Sequence, residues 1–147
     1  MEFLGYERGD GRFGVRNHVL VVSSVACANG VVEAIGRALP DVVTVTHGYG
    51  CSCGPMDTGV LCRSLAGLIN NPNVGAALVI GLGCEVVKSE ALAQSVHGKP
   101  AEHVVIQKEG GSAATASKGI VIASRFLHAL ESQKRMPAPV STLVVGL

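Results

Sequence analysis

Short aliphatic runs recur along this chain, each followed by a glycine- or cysteine-rich turn and then by an amphipathic stretch. The runs at 18–24, 42–46, 76–81, 103–107 and 142–146 have the length and side-chain branching of strands. The stretches between them, at 30–39, 58–69, 89–96 and 113–133, carry the spacing of helices. In the first of these, Val32, Ile35, Ala38 and Leu39 fall on one face, as a helix covering a sheet requires. Ser112 or Thr115 is expected to cap the last helix. Strands and helices alternating over such short connections predict an α/β fold. The expected form is a three-layer, Rossmann-like, doubly wound and mostly parallel sheet of about five strands. With no Trp and only 3% aromatic residues, Val, Leu, Ile and Ala must build its core. Such strands suit a sheet covered on both faces.

Composition narrows the function classes. Hydrophobic residues at 48% and charged residues at 16% exclude a disordered chain. A net charge of +1, with no basic run among aromatics, gives no basis for binding nucleic acid or an anionic membrane. No apolar run is long enough to span a bilayer, and the first residues resemble neither a signal nor a transit peptide. A cytoplasmic protein is expected. Five cysteines, an odd number, then argue against a disulfide framework. Residues 1–147 read as one α/β domain, with 1–17 as a charged, glycine-rich opening loop. The run at 142–146 has no helix after it, so the chain is expected to be part of a longer catalytic subunit. An unpaired sheet edge would favour homo-oligomers.

Functional loops of a doubly wound sheet follow the carboxyl ends of its strands. The first three predicted strands lead into Cys27, Cys51 and Cys84, so three successive loops each carry a thiol to the same edge. Together they can hold iron, zinc or an iron–sulfur cluster with a coordination position left open. Each alone is more often a packed core thiol. Cys62 falls within a helical pattern and is assigned to packing. Cys53, two residues from Cys51, is ranked below it.

His47 opens the most glycine-rich turn. It is read as a general base, a metal ligand or a turn residue donating to a backbone carbonyl. Glu85 either orients a ligand or favours the following helix through its dipole. Lys88 competes with His47 for the role of base. His18, His97, His103 and His128 are taken as structural. Arg8 and Arg12 offer forks for a substrate carboxylate, whereas Arg16 starts the first strand from the wrong end of the sheet. Gly110 and Gly111 lead into a helix N-terminus, a place for an anion. A nucleotide-binding Rossmann site is disfavoured, because no Gly-x-Gly-x-x-Gly follows a strand.

The segment Gly5-Tyr6-x-Arg8-x-Asp10-Gly11-Arg12-x-Gly14-Val15-Arg16-Asn17 resembles the opening motif of the catalytic region of the UxaA family. That family includes altronate and galactarate dehydratases and the large subunit of sulfolactate sulfo-lyase. His47-Gly48-x-Gly50-Cys51, Asn71-Pro72-Asn73-Val74, Gly81-Leu82-Gly83-Cys84-Glu85 and Ile106-Gln107-x-x-Gly110-Gly111 are similar to later blocks, in the same order. The resemblance implies a lyase of small hydroxy acids that removes a proton α to a carboxylate and expels a β-substituent. The leaving group would be water from a sugar acid, or sulfite from sulfolactate; a metal- or cluster-binding module without its own chemistry is the alternative. It further implies a divalent metal, iron as Fe2+ or in a cluster. The site candidates are His47, Lys88 and Glu85 for catalysis, Arg8, Arg12, Gly110 and Gly111 for substrate, and Cys27, Cys51 and Cys84 for metal. The implied partners are a further C-terminal catalytic region and a small N-terminal domain or subunit, both absent from these residues.

Overall fold

Eight consecutive buried residues, Val74–Gly81, mark the strand around which the domain is organised. The computed structural model describes residues 1–145. In chain order, the elements are β1 (Glu2–Glu7), β2 (Phe13–Gly14), β3 (His18–Ser23), α1 (Asn29–Ala38), β4 (Val43–Val45), α2 (Pro55–Ile69) and β5 (Val74–Gly81). They continue with α3 (Ser89–Gln94), β6 (Ala101–Val105), α4 (Ser112–Glu131) and β7 (Met136–Pro139). Strands β4-β3-β5-β6, in that order, form a parallel sheet.

The period of two along each strand divides the core. Val19, Val21, Ala76, Leu78 and Ile80 face α1 and α4, where Ile35, Ile122 and Phe126 meet them. Leu20, Val22, Ala77 and Val79 face the opposite side, against Leu65 and Ile69 of α2 and Leu92 of α3. A strand buried on both faces has no polar side to present, which is why β5 reads as an unbroken apolar run. On α1 the buried face is Val31, Val32 and Ile35; Ala38 is exposed, because the helix ends there. Helix α4 crosses α1 at Gly119, where a Cβ would come within 2.5 Å of Ile35 Cδ1. Neither predicted cap holds: Gly111 is the N-cap and offers no side chain, while Thr115 Oγ1, one turn on, donates to Gly111 O at 2.8 Å.

Two expectations are corrected. The parallel sheet has four strands, not five. Of the predicted fifth strand at 142–146, Thr142 closes a short 3-10 turn, residues 143–145 belong to no strand, and Gly146 lies outside the described residues. The opening segment is not a loop throughout. It contains β1 and β2, and β1 pairs antiparallel with β2 on one side and β7 on the other. After α4 the chain therefore turns back to β1 instead of rejoining the parallel sheet. Tyr6, on β1, has the guanidinium of Arg135 5.3 Å and that of Arg8 5.9 Å from its ring centre. These are cation–π distances.

Charge on the same edge has a measurable consequence. Lys99 Nζ donates to Asn71 O at 2.6 Å and Val74 O at 3.0 Å, at the amino ends of the strands. Burial, and then the nearby charges of Arg8 and Arg12, lower its pKa to about 8, with Asp10 opposing them. An unfolded lysine titrates near 10.4, so between those values the unfolded chain holds more protons and stability rises with pH. The expected result is a urea midpoint that increases from pH 8 to pH 10. The increase should vanish in Lys99→Met; an equal increase in that variant would show that another group is responsible.

Candidate functional site

The sheet order places β3 beside β5, while β3 leads to α1 on one face and β5 leads to α3 on the other. Chains departing in opposite directions make the carboxyl ends of these two strands a switch point, the place where open α/β sheets gather their ligands. The loops after β3, β4, β5 and β6 border this edge.

Two of these loops are joined through His47. Its Nε2 bonds Ser23 O at 2.9 Å, and its Nδ1 accepts the Tyr49 N–H at 3.2 Å. Because a carbonyl can only accept, Nε2 is the donor of this pair and Nδ1 the acceptor. Of the three roles considered for His47, the geometry is that of a turn histidine donating to a backbone carbonyl. Asn29 Nδ2 donates to His47 O at 2.9 Å, and Ser23 Oγ donates to Asn29 Oδ1 at 2.6 Å. Ala26 N donates to Tyr49 O at 2.8 Å. Gly50, at φ +99°, is pressed so close that a Cβ would stand 2.7 Å from Ser24 O. Only glycine is comfortable in both respects.

Glu85 locks the third loop. Its side chain is only 2% exposed, and Oε2 accepts the Gly83 N–H at 2.5 Å. Ser24 Oγ reaches Oε1 at 3.5 Å. Burial favours the neutral acid, but the N–H groups of Gly83, Glu85 itself and Ser89, together with Lys88, outweigh it and hold the pKa below its ordinary value. Gly81 leaves the space this needs, since a Cβ would lie 2.5 Å from Glu85 Oε1. Lys88 is exposed and donates from Nζ to Gly83 O at 3.0 Å. The loop after β6 closes on the same glycine: Gln107 Oε1 would be 2.3 Å from a Cβ at Gly83, and Gln107 N donates to Leu82 O.

The candidate residues thus separate into two groups. His47, Glu85, Lys88, Gly110, Gly111, Cys27, Cys51 and Cys84 all lie in loops at the carboxyl edge. Arg8 and Arg12 lie at the opposite edge. Arg8 is 3% exposed, and its guanidinium donates to Pro72 O, Asn17 Oδ1 and Arg16 O at 2.8–3.0 Å. Arg12 is paired with Asp10 at 2.6 Å. The opening motif and the Asn71-Pro72-Asn73 block are therefore halves of one interlock. Asn73 completes it by accepting the Arg16 N–H on its side chain and the His18 N–H on its carbonyl.

The thiols of Cys27, Cys51 and Cys84 are all exposed. Among the described residues no three His, Cys, Asp or Glu side chains converge as a metal-ion cage, so these thiols do not by themselves fit a closed metal site. Cys62, expected in the core, is exposed instead. Sequence reasoning missed a cleft of about 660 Å³ between the β4 turn and α2, lined by Val45, His47, Tyr49, Cys53, Asp57 and Val60 among others. The nearest sequence signal was Pro55 and Asp57 at a helix start. Ser23 and Asn29 were also missed, because neither lies in a motif that names its partner.

These features define an α/β domain whose loops after β3, β4, β5 and β6 gather at the carboxyl edge of a parallel sheet. Residues 5–131 match the family described as D-galactarate dehydratase/Altronate hydrolase, second domain, and the chain belongs to that family. It is 29% identical to the altronate dehydratase of Bacillus subtilis, over 99% of this chain and 31% of that protein. It is 33% identical to the (2R)-sulfolactate sulfo-lyase subunit beta of Chromohalobacter salexigens, over 98% of this chain and 37% of the relative. Identity to the galactarate dehydratase (L-threo-forming) of Escherichia coli is 31%, over 99% and 32% respectively. The chain thus spans about a third of the length of these relatives. No solved structure matches it.

Proposed function

We propose that this chain is the crevice-bearing, Rossmann-like domain of a hydro-lyase that dehydrates a small sugar acid such as altronate or galactarate. The carrying observation is the family match over residues 5–131, which takes in all four carboxyl-edge loops. In the proposed reaction a base takes the proton α to the substrate carboxylate. The β-hydroxyl leaves as water, and the resulting enol becomes a 2-keto-3-deoxy acid. Lys88 is proposed to take the α-proton as the free amine, which requires the ammonium that faces Glu85 to give up its own proton when substrate covers the loops. His47 has both ring nitrogens bonded to backbone and Glu85 is sealed beneath Gly83, so these two hold the loops. Gly110 and Gly111, at φ +82° and +113°, bring the first-turn N–H groups of α4 to the same edge, where a carboxylate can be received.

A divalent metal, iron as Fe2+ or in an iron–sulfur cluster, is proposed as cofactor, with Cys27, Cys51 and Cys84 among its donors. Further ligands or a closing of the loops are needed to complete such a site. Single Ser substitutions at these three positions in the complete protein should each lower bound iron, and Cys62→Ser should not. Equal iron in all four variants would remove the thiols from the proposal.

The 33% identity to a sulfo-lyase subunit supports a second reading, carbon–sulfur cleavage of sulfolactate with sulfite as the leaving group. One assay separates the two. The longer protein containing this domain is incubated with altronate, galactarate and sulfolactate, and keto acid and sulfite are measured. Keto acid from a sugar acid without sulfite supports the first reading; sulfite release supports the second; neither product sinks both. The isolated 147-residue chain is expected to give no turnover.

A further inference from the structure

Ser23, Asn29 and His47 form a closed ring of hydrogen bonds. Ser23 Oγ donates to Asn29 Oδ1 at 2.6 Å, Asn29 Nδ2 donates to His47 O at 2.9 Å, and His47 Nε2 returns to Ser23 O at 2.9 Å. Each residue both gives and receives a bond, so the loss of any one opens the ring. Ser23 is fully buried at the end of β3, and Asn29 begins α1. His47 lies just past β4. The ring therefore fastens the loop bearing Cys27 to the loop bearing Cys51. Two backbone bonds extend it: Tyr49 N–H to His47 Nδ1 at 3.2 Å, and Ala26 N–H to Tyr49 O at 2.8 Å.

β4 has only three residues and sits at the sheet edge, so strand pairing alone gives the turn after it little support. We infer that Ser23, Asn29 and His47 are a positioning unit that sets the turn 46–54 against the loop after β3, and that His47 acts through this geometry instead of by accepting a proton. The role in turnover rests on the crevice being the reaction site. The fastening of the loops does not.

The test has two arms. In the first, amide hydrogen exchange is followed residue by residue in this chain. Asn29→Ala, and the near-isosteric Asn29→Asp that replaces the donor to His47 O with a carboxylate oxygen, should speed exchange at Ala26 and Tyr49 by roughly tenfold, with the amides of α4 unchanged. Unchanged exchange at Ala26 and Tyr49 in Asn29→Asp would overturn the inference. So would equal acceleration throughout the domain. In the second arm, the complete enzyme carries Asn29→Ala, His47→Ala and both together. A positioning unit predicts that each single variant lowers kcat by roughly tenfold at constant KM, and that the double variant falls no further. Losses that multiply would show His47 acting on its own and overturn the positioning role. An enzyme inactive on every hydroxy acid would count against the proposed function, and the exchange arm would still decide the fastening.

Discussion

Arg8→Ala is expected to lower the unfolding free energy by about 3 kcal/mol, the scale for removing one partner of a buried, charge-assisted network. The size follows from what is left behind. Pro72 O, Asn17 Oδ1 and Arg16 O each lose a guanidinium donor in a place where water hardly reaches, since Arg8 is only 3% exposed. The loss then spreads. Asn17 Nδ2 also reaches Gln133 Oε1 at 3.1 Å, joining this edge to the end of α4. Gly14 is held so near Pro72 that a Cβ would lie 2.0 Å from its carbonyl oxygen. Arg8→Lys should recover only a minor part, because an ammonium cannot reproduce a planar fork serving three acceptors. Urea denaturation of the two variants measures this. A change under about 1 kcal/mol in Arg8→Ala would mean that the edge relaxes around the cavity, and that the interlock is weaker than its geometry.

The same arginine shows what the sequence could and could not reveal. β3 and β5 were legible because burial on both faces writes continuous apolar runs, the less buried β4 and β6 because short branched runs follow each helix, and the four helices because covering a sheet writes a 3.6-residue period. The antiparallel trio was not. β1 is interrupted by Gly5, and β7 carries Pro137 and Pro139 within four residues. Proline suits an edge strand but erases the usual strand signal. The run at 142–146 has strand composition, yet pairing depends on where α4 delivers the chain, which no local pattern records. At the site, the edge on which the cysteines and His47 stand follows from topology. The identity of the atoms facing His47 does not. A glycine-rich turn after a strand suits a catalytic imidazole and an anchored one equally, and only the positions of Ser23 O and the Tyr49 N–H separate them. Arg8 was offered to a substrate carboxylate because its chemistry fits one, but the amino-edge carbonyls use the same donors.

Lys88→Met in the complete enzyme is expected to slow incorporation of solvent deuterium at the substrate α-carbon by roughly a hundredfold or more, the usual share of a general base. Three observations select this residue over its neighbours. His47 cannot accept a proton at Nδ1 without giving up the Tyr49 N–H, and Nε2 already carries one. Glu85 is ionised and sealed, with its charge committed to the N–H groups of its own loop. Lys88, by contrast, is tied only by a single bond from Nζ to Gly83 O, on a loop glycine at φ +131° that also packs against Gln107. That bond positions the side chain, and bound substrate must cover it and release its proton before the amine can act as base. Methionine keeps the length and most of the apolar stem, so folding stability should change little while exchange collapses. Glu85→Gln should give the opposite pattern, a less stable loop and a wider loss of both binding and turnover, because a neutral amide cannot satisfy the same N–H groups as strongly. If exchange in Lys88→Met stays near the unmodified rate while it falls a hundredfold in His47→Ala, the proton belongs to the imidazole, and Nδ1 must be released from Tyr49 before each turnover.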